Sequence, residues 1–293
     1  MDYYMNQVEF ATLPTAFTGF LINWTVCYSF LYLKSMKHSF GLLSANQALA
    51  DALHSTTFLL YYCPMVLLDS QILKDYSRHC GFMTLFSFEL SIASHFVISI
   101  NRFCAIWIPL DYQSIFSFKN TKLMLLIMWI IVGSSNITMF QFICQITYSE
   151  ISHSIAFPKT ELCQNIRWYG DFLKNTILAL IFMLLDIITV MKVRRSRLSV
   201  NTSRSDTKSI SEREKRFLKQ AVAQGSMCLL ELSSYYTVPK LTDNRIIIFF
   251  GTLFAFVLLH VMDGIIVLLC NPEIRAFIFC GKKGSVVSSV VKT

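Results

Sequence analysis

Charge is what this 293-residue chain has least of: 15% of its residues are Asp, Glu, Lys or Arg, against 54% that are hydrophobic. Those few charges gather between long apolar runs, a distribution that excludes a soluble globular enzyme. The local patterns of enzyme chemistry are also missing. There is no zinc-ligand spacing, no glycine-rich phosphate loop and no nucleophile elbow, and no spacing pairs a nucleophile with a base. Nor does the chain show an internal repeat, or the matched Gly or Pro interruptions of transporters built from broken helices. A seven-helix ligand-gated channel or transporter is still the competing reading, because intramembrane acids and histidines also mark ion pathways. The first apolar run has neither a charged leader nor a small-residue cleavage site, so it is expected to remain as the first helix.

What is present is membrane-crossing length, repeated seven times. A spanning helix needs roughly 20 mostly apolar residues, and such stretches fall near 10–33, 40–68, 80–108, 121–143, 170–193, 218–238 and 245–271. They use nearly the whole chain, which predicts one all-α seven-helix membrane domain over 1–293, a basic loop at 194–217 and a short tail at 272–293. Lysine and arginine set the orientation, since their excess collects on the cytoplasmic side. With the N-terminus outside, 19 of the 26 Lys and Arg are cytoplasmic, including Lys192 to Lys219 and the tail residues Arg275, Lys282 and Lys283. The net charge of +8 then faces anionic membrane lipids, and no nucleic acid is needed to explain it.

Polar side chains inside the spans are expensive unless they face one another or a cavity. Asp51, Glu89, Asp186, Glu231 and Asp263 are the acids. Asn23, Asp51, Ser91, His260 and Asp263 are expected to form a hydrated polar switch core, His260 and Asp263 lying one turn apart on a single helix face. No cofactor is expected beyond a monovalent cation or a proton near Asp51. His54, His95 and His260 lack the paired spacing of a metal site and read as polar packing partners of the acids. Among the nine cysteines, Cys80 and Cys163 both face an oxidising compartment and are expected to form a disulfide, with Cys144 as the rival partner. Thr84, Phe88, Tyr235 and Tyr236, in the outer helix halves, suit a pocket for a small, largely apolar ligand.

The most specific segment runs from Asn101 to Tyr112, Asn-Arg-Phe-Cys-Ala-Ile-Trp-Ile-Pro-Leu-Asp-Tyr, at the inner end of the third span, and continues into Ile115, Phe116, Ser117 and Phe118. With Asn23, Ala50-Asp51, Trp129 and the run from Asp263 to Val267 leading to Asn271 and Arg275, it resembles the rhodopsin-like G-protein-coupled receptors. Within that superfamily the segment is similar to the nematode class X serpentine chemoreceptors. The resemblance covers nearly all of the chain. It implies a plasma-membrane chemoreceptor, in a sensory cell, that binds a small molecule and activates a heterotrimeric G protein. It also implies that Asn101, Arg102, Phe103, Pro109, Leu110 and Tyr112 meet that partner.

Several positions depart from the pattern. The acid usual before the arginine is Asn101, which cannot form its ion pair and leaves Arg102 with a weaker lock or with partners elsewhere. Gly264 stands where the family commonly has Pro, and Val267 where it commonly has Tyr. No lysine occurs between Arg245 and Asn271, which excludes a retinal Schiff base. Thr84 occupies the position of the aspartate in amine receptors, which argues against a monoamine transmitter.

Overall fold

The computed structural model describes the backbone of residues 2–150, 154–199 and 205–280, and the side chains of 11–150, 154–195 and 219–279. Seven long helices form one bundle. They are α1 (Asp2–Tyr32), α2 (residues 39–67), α3 (Arg78–Trp107), α4 (Phe118–Ile143), α5 (residues 161–199), α6 (Ser205–Leu241) and α7 (Arg245–Cys270). An eighth helix, α8 (Pro272–Cys280), follows α7. A short hairpin between α4 and α5 pairs β1 (Thr147–Ser149) with β2 (Ser154–Ala156) antiparallel, Tyr148 opposite Ile155.

Local chemistry sets several helix starts. His38 Nδ1 accepts the amide N–H of Gly41 at 3.2 Å at the start of α2, Ser117 Oγ accepts that of Asn120 at 3.2 Å at the start of α4, and Asn244 Oδ1 accepts from Ile246 and Ile247 at α7. Each bond satisfies an amide that the first helical turn leaves without a partner. Among the described residues, α3, α4, α5 and α7 are long and apolar enough to cross a bilayer by composition alone. By contrast, α2 carries Ser44, Asn46, Gln47, Asp51, His54 and Ser55, all of them buried inside the bundle. α3 is the central helix, packed on α2, α4 and α5, while α7 closes the ring against α1, α2 and α6. On α4, Leu123, Leu126, Ile127, Ile130 and Ile131 face outward, as a lipid-facing helix requires.

Expected boundaries shift where the chain has strong helix formers. The basic stretch at 194–217 was expected as a loop, yet α5 continues to Ser199 and α6 begins at Ser205. Its Glu, Lys and Arg residues favour helix once a span has nucleated it. Residues 200–204, and the side chains of 196–218, lie outside the described residues. The expected tail begins with α8, whose Phe277 and Ile278 pack beside α1.

The disulfide differs from expectation too. Cys163 bonds to Cys144, with 5.5 Å between their Cα atoms, and Cys80 is a free thiol. The reason lies in how the outer loop meets α3. The Ile146 backbone rests against Gly81, where a Cβ would come within 2.5 Å of its carbonyl oxygen. Cys80, one residue earlier and therefore turned about 100° around the helix, points inward into the apolar cluster that holds Cys63, Phe88 and Phe140. Cys144, at the outer end of α4, stands where the chain returns to α5.

Candidate functional site

Above the middle of the bundle, α3, α5, α6 and α7 enclose a cavity of about 580 Å³. Residues Ser154 to Phe157 roof it, held down by the Cys144–Cys163 bond and by a hydrogen bond from the Tyr148 amide to Ser77 Oγ at 2.9 Å. Thr84, Phe88, Tyr235 and Tyr236, the four residues expected to line a ligand pocket, all line it. So do Arg167, Asp171 and Phe256, to which the sequence gives no pocket role, and Glu231, which on sequence could either anchor a basic ligand or pair with a neighbouring hydroxyl. In α5 and α7 the hydrogen bonding loosens to π-helical turns at Ile166–Leu173 and Phe250–Phe254. Such turns rotate side chains out of the α-helical register, and they bring Arg167, Asp171, Thr252 and Leu253 to the cavity wall. Tyr236 Oη donates to Asp171 Oδ2 at 2.7 Å, and Asn175 Nδ2 donates to Asp171 Oδ1 at 2.9 Å. Glu89, just outside, takes Lys174 at 2.5 Å and Asn136 at 3.0 Å.

Beneath the cavity lies the polar core. Asp51 Oδ1 accepts from Ser91 Oγ at 2.9 Å and lies 2.8 Å from His260 Nδ1. Asn23 Nδ2 donates to the His260 carbonyl at 3.0 Å, and Asp263 Oδ2 lies 3.1 Å from His95 Nε2. The five residues expected to form this core therefore do converge. His54 and His95 complete it, His54 stacking on His260 with 3.8 Å between ring centroids. The sequence predicts both histidines as packing partners of the acids, and His95 meets one whereas His54 meets Ser87. Their bonds to Ser87 and Asp263 supply the specific geometry. Phe88 and Phe256, which line the cavity floor, pack edge-to-face with each other and with His260, so cavity and core share a wall.

At the inner end, Asn101 Nδ2 donates to Tyr112 Oη at 3.3 Å, and Phe103 stacks on Trp107. Arg102 finds its counter-charge on α5: its Nε lies 3.6 Å from Asp186 Oδ1, while Asp186 Oδ2 accepts from Ser99 Oγ at 2.8 Å. Pro109 and Leu110 open the short helix Pro109–Ile115, and Leu110 is 95% exposed. The sequence carried a signal for Asp186 all along: an acid in an apolar run requires a nearby cation, and Arg102 is the cation at that depth.

This arrangement is a rhodopsin-type seven-helix architecture. The chain superimposes on squid rhodopsin with a TM-score of 0.79, covering 96% of this chain and 86% of that one at 16% identity, a likeness of fold. Residues 13–271 match the family described as serpentine type 7TM GPCR chemoreceptor Srx, and the chain belongs to that family. It is similar to two proteins of Caenorhabditis elegans. Serpentine receptor class X 45 is 27% identical, with 89% of this chain and 78% of that one aligned. Serpentine receptor class X-43 is 25% identical, with 89% and 83% aligned. The chain is thus a multi-pass membrane protein of receptor type.

Proposed function

We propose that this chain is a plasma-membrane chemosensory receptor, working in a sensory cell, which binds a small molecule in the outer cavity and activates a heterotrimeric G protein. One observation carries the reading: the cavity floor, Phe88 and Phe256, is in direct ring contact with His260 of the buried charge network. A ligand that displaces either ring moves a group bonded to Asp51, and the same bundle holds Arg102 against Asp186 at the opposite end. Release of that ion pair as α5 and α6 shift would open a cleft beside Arg102, with the exposed Leu110 filling an apolar pocket of the partner, a helix-in-groove mode of recognition. Asn101, Phe103, Pro109 and Tyr112 hold the segment that presents both.

Charge in the core is balanced within the same reading. A monovalent cation near Asp51 would use the Asp263 Oδ1 oxygen, which has no hydrogen-bond partner. His260 and His95 are already seated on the Asp51 and Asp263 carboxylates. The test is a chemical-library response in cells expressing the chain, recorded with heterotrimeric G proteins present and absent, beside Arg102→Ala. A response lost in both controls supports the receptor. A current persisting without G proteins would make the protein a channel.

A further inference from the structure

Three described polar groups that line the outer cavity, Thr84 Oγ1, Arg167 Nε and Glu231 Oε2, lack a hydrogen-bond partner, and Glu231 is the acid among them. It sits on α6, only 5% exposed, and its Oε2 has no hydrogen-bond partner. A buried carboxylate left in that state costs several kcal/mol unless something supplies a donor or a counter-charge. The other charged groups nearby hold positions of their own, although Arg167 Nε also lacks a hydrogen-bond partner. Lys174 is paired with Glu89, while Asp171 is satisfied by Tyr236 and Asn175. The Arg167 guanidinium lies over the rings of Phe157, Tyr235 and Tyr236, 5.1–5.8 Å from their centroids. Among the described residues no ion pair joins it to Glu231.

Leu85, Phe88, Leu232, Leu253 and Phe256 supply apolar lining to the same cavity, and Lys159, Gln164, Ser154 and Thr252 add to its polar lining. A cavity of this kind asks for an apolar body with one positively charged donor. The position on α3 where amine receptors place an aspartate is Thr84, and Thr84 lines this same cavity. The carboxylate missing from α3 is therefore present on α6, facing the same space.

We propose that the cavity takes small organic amines, with the ammonium group bonded to Glu231 and an apolar or aromatic body against Phe88 and Phe256. This narrows the expectation of a largely apolar ligand and reverses the argument against amines drawn from Thr84 alone. It rests on reading the cavity as the receptor's ligand site.

The test uses the full chain in lipid nanodiscs and two matched series: 2-phenylethylamine, 2-phenylethanol and phenylacetate, and tryptamine, tryptophol and indole-3-acetate. Binding is measured by ligand-induced thermal stabilisation and by calorimetry. Both amines should bind roughly tenfold or more tighter than their alcohol and carboxylate counterparts, the margin of a charged hydrogen bond. Glu231→Gln, which keeps the shape and loses the charge, should abolish that preference, and Glu231→Asp should retain part of it. A ligand-free melting temperature for Glu231→Gln at or above wild type excludes misfolding as the cause. Equal or tighter binding of an alcohol or carboxylate, a preference that survives Glu231→Gln, or no amine binding in either series overturns the proposal.

Nucleotide exchange on added heterotrimeric G proteins separates this outcome from the receptor reading. Glu231-dependent amine binding without exchange leaves the amine site standing and removes the receptor. Exchange driven by a compound that is not an amine, indifferent to Glu231→Gln, does the reverse.

Discussion

Arg102 is held by a residue 84 positions away, and under the proposed function that pair would restrain activation at rest. Its side chain is 16% exposed and that of Asp186 is 3% exposed, so solvent screens the pair little. Asn101, where an acid is usual, donates to Tyr112 and leaves the lock to α5. Of the two consequences that the sequence allowed for Asn101, a weak lock or a partner elsewhere, the second is the one found. Asp186→Asn keeps a hydrogen-bonding group beside Ser99 and removes the charge. Breaking a buried pair from one side costs about 3–5 kcal/mol, and the loss falls on the closed arrangement in which the pair exists. Basal nucleotide exchange by a coupled G protein should therefore rise several-fold in Asp186→Asn, and the melting temperature should fall. Unchanged basal exchange would mean that the pair does not restrain activation.

Between elements, close approach decides what substitutions the fold accepts. At Gly264 a Cβ would overlap the Asn23 side chain and come within 2.9 Å of Ile22 Cγ2, which gives a steric reason for glycine on α7 where the family commonly has proline. Gly264→Ala should cost about 1–3 kcal/mol, as crowding of a packed interface does, and should lower the melting temperature. Gly264→Ala combined with Asn23→Ala should recover part of the loss, and no recovery would place the strain elsewhere. The outer disulfide has its own test. Cys144→Ser or Cys163→Ser should leave a free partner thiol, detectable by mass spectrometry after alkylation, and should remove about 3 kcal/mol for a loop of this length. Cys80→Ser should leave the bridge intact. Span number, orientation and the Asn23–Asp51–Ser91–His260–Asp263 cluster were legible in the sequence, because apolar length and the cost of a buried charge act residue by residue. The disulfide was not. Compartment favours Cys80 and admits Cys144 only as the rival, whereas the choice depends on which face of α3 the Ile146 backbone covers, a tertiary fact. The same holds for Arg167 and Asp171, which reach the cavity through a π-helical turn that no hydrophobic period announces.

Across the whole molecule the polar groups form a discontinuous column. It runs from Glu231 and Asp171 at the outer cavity, past the rings of Phe88 and Phe256, to His260 and Asp51, then to His95 and Asp263, and ends at Asp186 and Arg102. Apolar rings interrupt it between cavity and core, and Phe182 stacks on His95 lower down. In the proposed receptor, a signal crossing the level between cavity and core would pass through packing, and at the core it would meet hydrogen bonds. The two halves are therefore separable by substitution. His260→Phe keeps a ring against Phe88, Phe256 and His54 but removes the nitrogen that meets Asp51. Because His260 does not line the cavity, ligand affinity should stay within about twofold. Maximal G-protein activation should fall roughly tenfold, a coupling loss in the ordinary range for linked sites. Radioligand affinity and nucleotide exchange measured on the same preparation check both halves. Wild-type activation at wild-type affinity would show that the signal reaches Arg102 by another route, such as movement of α6 driven directly from Glu231.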